Sequence, residues 1–228
     1  MATATKRVSH PIFARAFDHT AWKLEDRGQR EHRKKLLEGL AGRVIEVGAG
    51  NGLNFPHYPD SVTEVVAVEP EPFLRERADE ATASAPVEIT IVDGVAEALP
   101  VEDGSFDAAV ASLVLCSVFD QQQALAEIRR VLRAGGELRF YEHVRAQSPI
   151  AARAQRAFDL VWPLIGGGCH ASRDTFAAIK TAGFEIENCE RFLFKPLPLA
   201  LPTAPHIRGI ARRPPTPEPR HGGSVLAP

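Results

Sequence analysis

The sequence predicts an α/β domain built on a doubly wound, seven-stranded sheet, mostly parallel, with an antiparallel C-terminal strand pair and helices on both faces. Three observations carry this prediction. Apolar, β-branched runs alternate with helix-patterned segments from Arg43 onward, as in parallel strands joined by helical crossovers. The first run, Arg43 to Val47, stops abruptly in three glycines at alternate positions, Gly48, Gly50 and Gly52. The last two strand-like segments have no helix between them, so they pair antiparallel.

The 228 residues suffice for one domain with a real core and not for two. The chain is 44% hydrophobic and 25% charged with a formal charge of -2, too balanced for nucleic acid as the main partner. Cys116, Cys169 and Cys189 are widely spaced and odd in number, which argues against a disulfide framework or a C-x-x-C metal site and fits a reducing cytoplasm. No run reaches the roughly 18 apolar residues of a membrane span, and no signal-peptide core is present.

In chain order, Ile12, Phe13, Ala16 and Phe17 form one stripe of a helix that serves as a lid or covers a sheet edge. A second helix is expected from Asp26 to Leu40, stopped by Gly42, with Arg30, Arg33, Lys34 and Lys35 as a solvated face. Residues 1–42 thus form an N-terminal helical cap, residues 43–213 the main domain, and residues 214–228 a disordered tail. After the glycines, Pro56 and Pro59 leave room for about one helical turn. Strands follow at Glu64 to Glu69 and Val87 to Val92, with a proline-opened helix between them at Pro70 to Ala81. Phe106 to Val114 reads as a buried central strand. Asp120 caps a helix that Gly135-Gly136 ends, and Glu137 to Val144 is a fifth strand. A helix from Pro149 to about Leu164, a Gly166-Gly167-Gly168 break, a helix capped by Ser172 and running to Ala182, and strands at Glu185 to Phe194 and His206 to Arg213 complete a Rossmann-like order.

Ligands of such sheets bind beyond the carboxyl ends of the strands. A glycine loop there admits a nucleotide-like group, because glycine lacks a side chain and takes positive φ. The dinucleotide pattern G-x-G-x-x-G would place its last glycine at Leu53, which weighs against NAD or FAD. Glu69 ends the second strand, where an acid accepts hydrogen bonds from ribose hydroxyls, and Asp93 ends the third, where one accepts the adenine amine. Glu46 is an acid inside an apolar strand, so it needs partners: loop amides, or water near the amino group of the ligand. These positions narrow the ligand to one that carries an adenosyl group.

Glu46-Val47-Gly48-Ala49-Gly50-Asn51-Gly52, Glu69, the Leu99-Pro100 to Ser105-Phe106-Asp107 stretch and Leu132-Arg133-Ala134-Gly135-Gly136 together resemble class I S-adenosylmethionine-dependent methyltransferases. Ala134 stands where that class usually has proline. Leu113 to Val118, Glu142-His143-Val144, Gly168-Cys169 and Pro205 to Gly209 look like the methyltransferase-like family of alkyl-thiol S-methyltransferases. Quinone-biosynthesis C-methyltransferases usually show Leu-His-His-Val where this chain has Leu115-Cys116-Ser117-Val118. The animal thiol enzymes carry an apolar N-terminal anchor; a stable membrane anchor is not expected here.

The resemblance implies S-adenosylmethionine as methyl donor and S-adenosylhomocysteine as product. The implied donor contacts are Glu46, Gly48, Ala49, Gly50, Gly52, Asn54, Glu69, Pro70, Asp93, Gly94, Val95, Leu115 and Cys116. The implied acceptor is a small molecule, a thiol first, with a quinone-like or amine acceptor as the alternative and a non-catalytic donor-binding protein as the reading from another class. Methyl transfer is an in-line displacement, so alignment and water exclusion dominate and no metal is called for. His143 is the candidate helper base, or else it anchors its loop. Cys116 is expected as a small pocket residue without an activating neighbour, and His170 as a surface histidine or weak base. Phe13, Phe17, Trp162 and the Leu197, Leu199, Leu201 series are candidate walls of an apolar acceptor pocket. A monomer or weak homodimer is expected.

Overall fold

The computed structural model describes residues 10–196 and 201–215. The expectations for the 214–228 tail, beyond its first two residues, and for Leu197 and Leu199 lie outside the described residues.

The sheet order is β3-β2-β1-β4-β5-β7-β6, formed by β1 (Gly42–Val47), β2 (Val62–Val68), β3 (Ile89–Val92), β4 (Phe106–Ser112), β5 (Leu132–His143), β6 (Glu185–Leu193) and β7 (Pro205–Arg212). The first five strands run parallel, and β7 inserts antiparallel between β5 and β6. Period-two alternation explains the two cores. Ile45, Val47, Val66, Val68, Ala109, Leu138 and Phe140 point to one face, under α4 (Gln121–Val131) and α7 (Thr175–Thr181). Val44, Val65, Ala67, Ala108, Val110 and Tyr141 point to the other, under α2 (Arg30–Leu37) and α3 (Pro72–Ala81). Both faces are covered, so the parallel strands read as nearly continuous apolar runs.

α1 (Pro11–Leu24) lies over the first glycine loop: the Asn51 amide donates to Asp18 at 3.0 Å, and a Cβ on Gly50 would sit 3.7 Å from the Phe17 ring. The single helix expected from Asp26 to Leu40 is instead broken. Gly28 adopts φ 108°, closed to most side chains, so α1 ends in an irregular wide turn and α2 ends at Leu37, ahead of Gly39 at φ 73°. After the glycine loop, the prolines leave one tight turn, Phe55–His57, as expected.

Three further boundaries differ from the sequence reading. α4 ends at Val131 and Leu132 already begins β5, so Gly135, at φ 80°, shapes a turn within the strand rather than ending the helix. The segment from Pro149 to Leu164 divides into α5 (Pro149–Phe158) and a short α6 (Trp162–Ile165). Asp159 marks the division, its carboxylate accepting from Ala171 N, Ser172 N and Ser172 Oγ. Ser172 is thereby engaged, and α7 is capped by Asp174, which accepts from Ala177 N at 3.2 Å. Among the described residues no helix is long and apolar enough to cross a membrane.

Candidate active site

The site lies beyond the carboxyl ends of β1, β2, β3, β4 and β5. Gly48, Gly50 and Gly52 have φ of 71°, 59° and 80°. A Cβ on Gly48 would lie 2.3 Å from Val114 Cγ2, so the glycine permits the loop after β4 to rest directly on the loop after β1. The loop amides are not a free cradle. Gly48 N and Ala49 N both donate to Val68 O, Gly52 N to Ala49 O, and Gly50 N to Glu69 Oε2. The glycines supply shape and close approach, while strand-end side chains supply open acceptors.

Glu69 is 5% exposed, and its second oxygen accepts from Glu71 N at 2.9 Å. Each carboxylate oxygen retains a lone pair for a hydroxyl donor. Burial raises the Glu69 pKa against the two backbone hydrogen bonds that lower it. Pro70 follows directly and its carbonyl accepts from Arg75, which also donates to Glu69 O and, at 3.1 Å, to Asp93 Oδ1. Arg75 thus ties the ends of β2 and β3, a role the sequence reading misses because a helix arginine looks like solvated surface. Asp93 is largely exposed, and Gly94 and Val95 continue that loop.

Glu46 does not bond loop amides. It accepts from Asn54 Nδ2 at 2.8 Å and from Tyr58 OH at 2.6 Å, fully inside the molecule. Arg33, expected on a solvated face, is buried in the same network, paired with Glu25 at 2.9 Å and bonded to Asn54 Oδ1 and Ser112 Oγ. A buried charge needs such partners, and the break at Gly28 turns Arg33 inward toward them.

Burial pushes the Glu46 carboxyl from 4.5 up to about 7, outweighing Tyr58, Asn54 and Arg33. A carboxyl whose pKa rises on folding contributes stability that is full below its unfolded pKa and is lost as pH rises through the folded value. Glu46→Gln is therefore expected to come within ~1 kcal/mol of the wild type at pH 5 and to exceed it by ~3 kcal/mol at pH 8, without donor. Urea unfolding at the two pH values checks this.

The loop after β4 is set by two features. Leu113 has φ 61°, a left-handed conformation rare for a branched side chain. Beyond it, the amides of Val114, Leu115 and Cys116 converge on the fully buried carboxylate of Glu142 at 3.0, 2.8 and 3.1 Å. The Leu115 side chain is buried in the core, so what it presents toward the site is backbone, and its carbonyl accepts from Arg173 at 2.7 Å.

Cys116 does have titratable neighbours, but they do not activate it. His143 Nδ1 lies 3.4 Å from Cys116 Sγ and 3.3 Å from Cys169 Sγ, and the sulfurs are 3.6 Å apart. Burial works against a charged His143 ring, but Cys169 and Glu142 outweigh it and raise its pKa. The contact between the two sulfurs, with burial, raises the Cys116 pKa, and the same contact lowers that of Cys169. His170 Nδ1 meets Gly168 O at 2.8 Å, so that ring holds the glycine turn. Phe13 stacks on Phe17, and a Cβ on Gly167 would collide with Phe13, placing α1 beside the triple-glycine turn. Trp162 packs on Phe158, and Leu201 is exposed.

This architecture is shared with known proteins. A family model described as a methyltransferase domain matches residues 45–140. The solved structure of the N-methyltransferase NodS from Bradyrhizobium japonicum, in complex with S-adenosyl-L-homocysteine, superposes with a TM-score of 0.66 at 16% identity, covering 89% of this chain and 98% of that one. The fold and its strand-end site define an S-adenosylmethionine-dependent methyltransferase. Within that class, the chain belongs to the family of the human thiol S-methyltransferases TMT1B and TMT1A. It is 37% identical to human TMT1B over 186 residues, 78% of this chain and 74% of the relative. The human TMT1A match is 35% over 191 residues, 80% and 77% of the two chains.

Proposed function

We propose that the chain transfers the methyl group of S-adenosylmethionine to the thiol of a small molecule, releasing a thioether and S-adenosylhomocysteine. The observation that carries this reading is the 37% identity with a thiol S-methyltransferase across 78% of the chain. The geometry supports it, because Cys116, one corner of the Cys116–His143–Cys169 cluster, sits on the loop that rests against Gly48. In this reading Glu69 takes the ribose hydroxyls, Asp93 the adenine amine, and Glu46 lies behind the loop as a counter-charge to the cationic donor. The acceptor sulfur attacks the methyl carbon as the bond to the sulfonium breaks, and the electron pair returns to the donor sulfur. α1 acts as the lid over this exchange.

A free thiol has a pKa of about 8.5, so it needs only modest help to lose its proton at neutral pH. That help is assigned to the cluster. His143→Ala is expected to reduce the rate by on the order of a hundredfold at pH 7, and the deficit should shrink as the pH passes the pKa of the thiol. A pH–rate profile reads this out; a deficit independent of pH would leave His143 a positioning role. The wider reading is tested by supplying the donor with a panel of thiols, amines, phenols and quinols and following S-adenosylhomocysteine. Turnover is expected with thiols, whereas turnover confined to the other acceptors would overturn the thiol assignment.

A further inference from the structure

Cys116, His143 and Cys169 come from three separate places: the loop after β4, the last residue of β5, and the turn after Gly166-Gly167-Gly168. Their ligand atoms form a compact triangle with edges of 3.6, 3.4 and 3.3 Å. A tetrahedral zinc ion with sulfur at about 2.3 Å and nitrogen at about 2.0 Å has an S–S edge of about 3.75 Å and S–N edges of about 3.5 Å. Only small shifts separate the triangle from one face of that tetrahedron. A disulfide is further away, because its sulfurs must approach to about 2.05 Å.

The chemistry of the set agrees. Two sulfurs and an imidazole are soft to borderline ligands that select zinc or copper(I) over magnesium or calcium. Two thiolates neutralise a divalent ion, so the assembly can remain buried, and Cys116 and Cys169 are 1% and 5% exposed. The surrounding groups hold the ligands in place. Glu142 fixes Cys116 N, and His170 N donates to Cys116 O at 2.8 Å, joining the two sulfur-bearing loops. The Trp162 Nε1 atom is buried with no nitrogen or oxygen partner among the described residues.

We propose that Cys116 Sγ, Cys169 Sγ and His143 Nδ1 bind one thiophilic metal ion, zinc in the first instance, whose fourth position receives the acceptor thiol. Three protein ligands and one open position is the count of catalytic rather than structural zinc sites. The role in acceptor activation rests on the thiol reading above. An acceptor that coordinates there gives its S–H proton to solvent, because a thiol bound to zinc is deprotonated outright. Its sulfur then takes the methyl carbon, and the neutral thioether leaves the ion. The displacement needs no oxidant, and the ion is unchanged.

The test uses the full chain, purified in reductant without chelator. One zinc per chain is expected by elemental analysis, and cobalt(II) in its place should show thiolate-to-metal charge transfer with the intense visible bands of a tetrahedral site. Cys169→Ser and Cys116→Ser should each weaken zinc binding by on the order of a hundredfold, whereas Cys189→Ser, at a half-buried position outside the cluster, should leave it unchanged. Adding 2-mercaptoethanol should shift the cobalt spectrum as a fourth sulfur enters. The wild-type cobalt spectrum decides the matter even if a serine variant misfolds. A wild-type chain that binds neither ion, and instead loses two titratable thiols as a Cys116–Cys169 disulfide on mild oxidation, overturns the proposal. Thiol turnover in that metal-free chain would spare the thiol assignment, while a cobalt-thiolate spectrum without turnover of any thiol would overturn the assignment and spare the site.

Discussion

Replacing Glu142 with alanine is expected to destabilise the fold by about 3–5 kcal/mol. One buried carboxylate satisfies three consecutive amides, those of Val114, Leu115 and Cys116. Each amide left without an acceptor costs about 1–3 kcal/mol, reduced where water enters the space vacated by the side chain. Glu142→Gln should recover part of the loss, since its carbonyl can still receive the Val114 and Leu115 amides while its amine opposes that of Cys116. Urea unfolding at pH 7 checks both variants. A change below 1 kcal/mol for the alanine variant would show that the loop holds itself.

Glu69→Ala is expected to weaken S-adenosylmethionine binding by on the order of 10- to 100-fold, about 1.4–2.7 kcal/mol. The effect has two sources that a second variant separates. Glu69 supplies the proposed ribose acceptors, and its Oε2 also holds Gly50 N at 2.8 Å, so alanine removes a ligand contact and a brace of the loop together. Glu69→Gln retains one carbonyl acceptor and should fall between alanine and wild type. Calorimetric titration with the donor measures both, and an unchanged affinity for Glu69→Ala would remove that residue from the site.

The layering of the fold was legible in the sequence because a parallel sheet covered on both faces makes continuous apolar runs, and Val44 to Val47, Val65 to Val68 and Ala108 to Ala111 leave little alternative. The prolines around Phe55 were equally readable, since they act on local backbone alone. What escaped depends on distant contacts. Arg33 looks like a solvent-facing helix residue until the turn at Gly28 brings it to Glu25 and Asn54. Cys116 and Cys169 stand 53 positions apart, so only the topology reveals that their sulfurs touch with His143 between them. In sequence Glu142 stands out only as part of a motif, because the three amides it receives belong to another strand's loop. A charged residue within an apolar strand is the one available signal, the same signal that marks Glu46.

The left-handed turn at Leu113 bears on timing as well as shape. Val114, seated on Gly48, and Cys116, facing His143, are two residues apart on a loop whose three amides share one carboxylate. Their spacing is therefore limited by bond lengths, at most about 7 Å between α-carbons. Any motion that swings one of them outward must release the Glu142 hydrogen bonds as a set, so the floor of the donor loop and the sulfur cluster move as a single block. On the proposed reading of α1 as a lid, substrate entry and product release come from the other wall, where α1 rests on the glycines through the Phe17 ring and the Asn51–Asp18 hydrogen bond. That wall, rather than the loop beneath it, is where turnover would be gated.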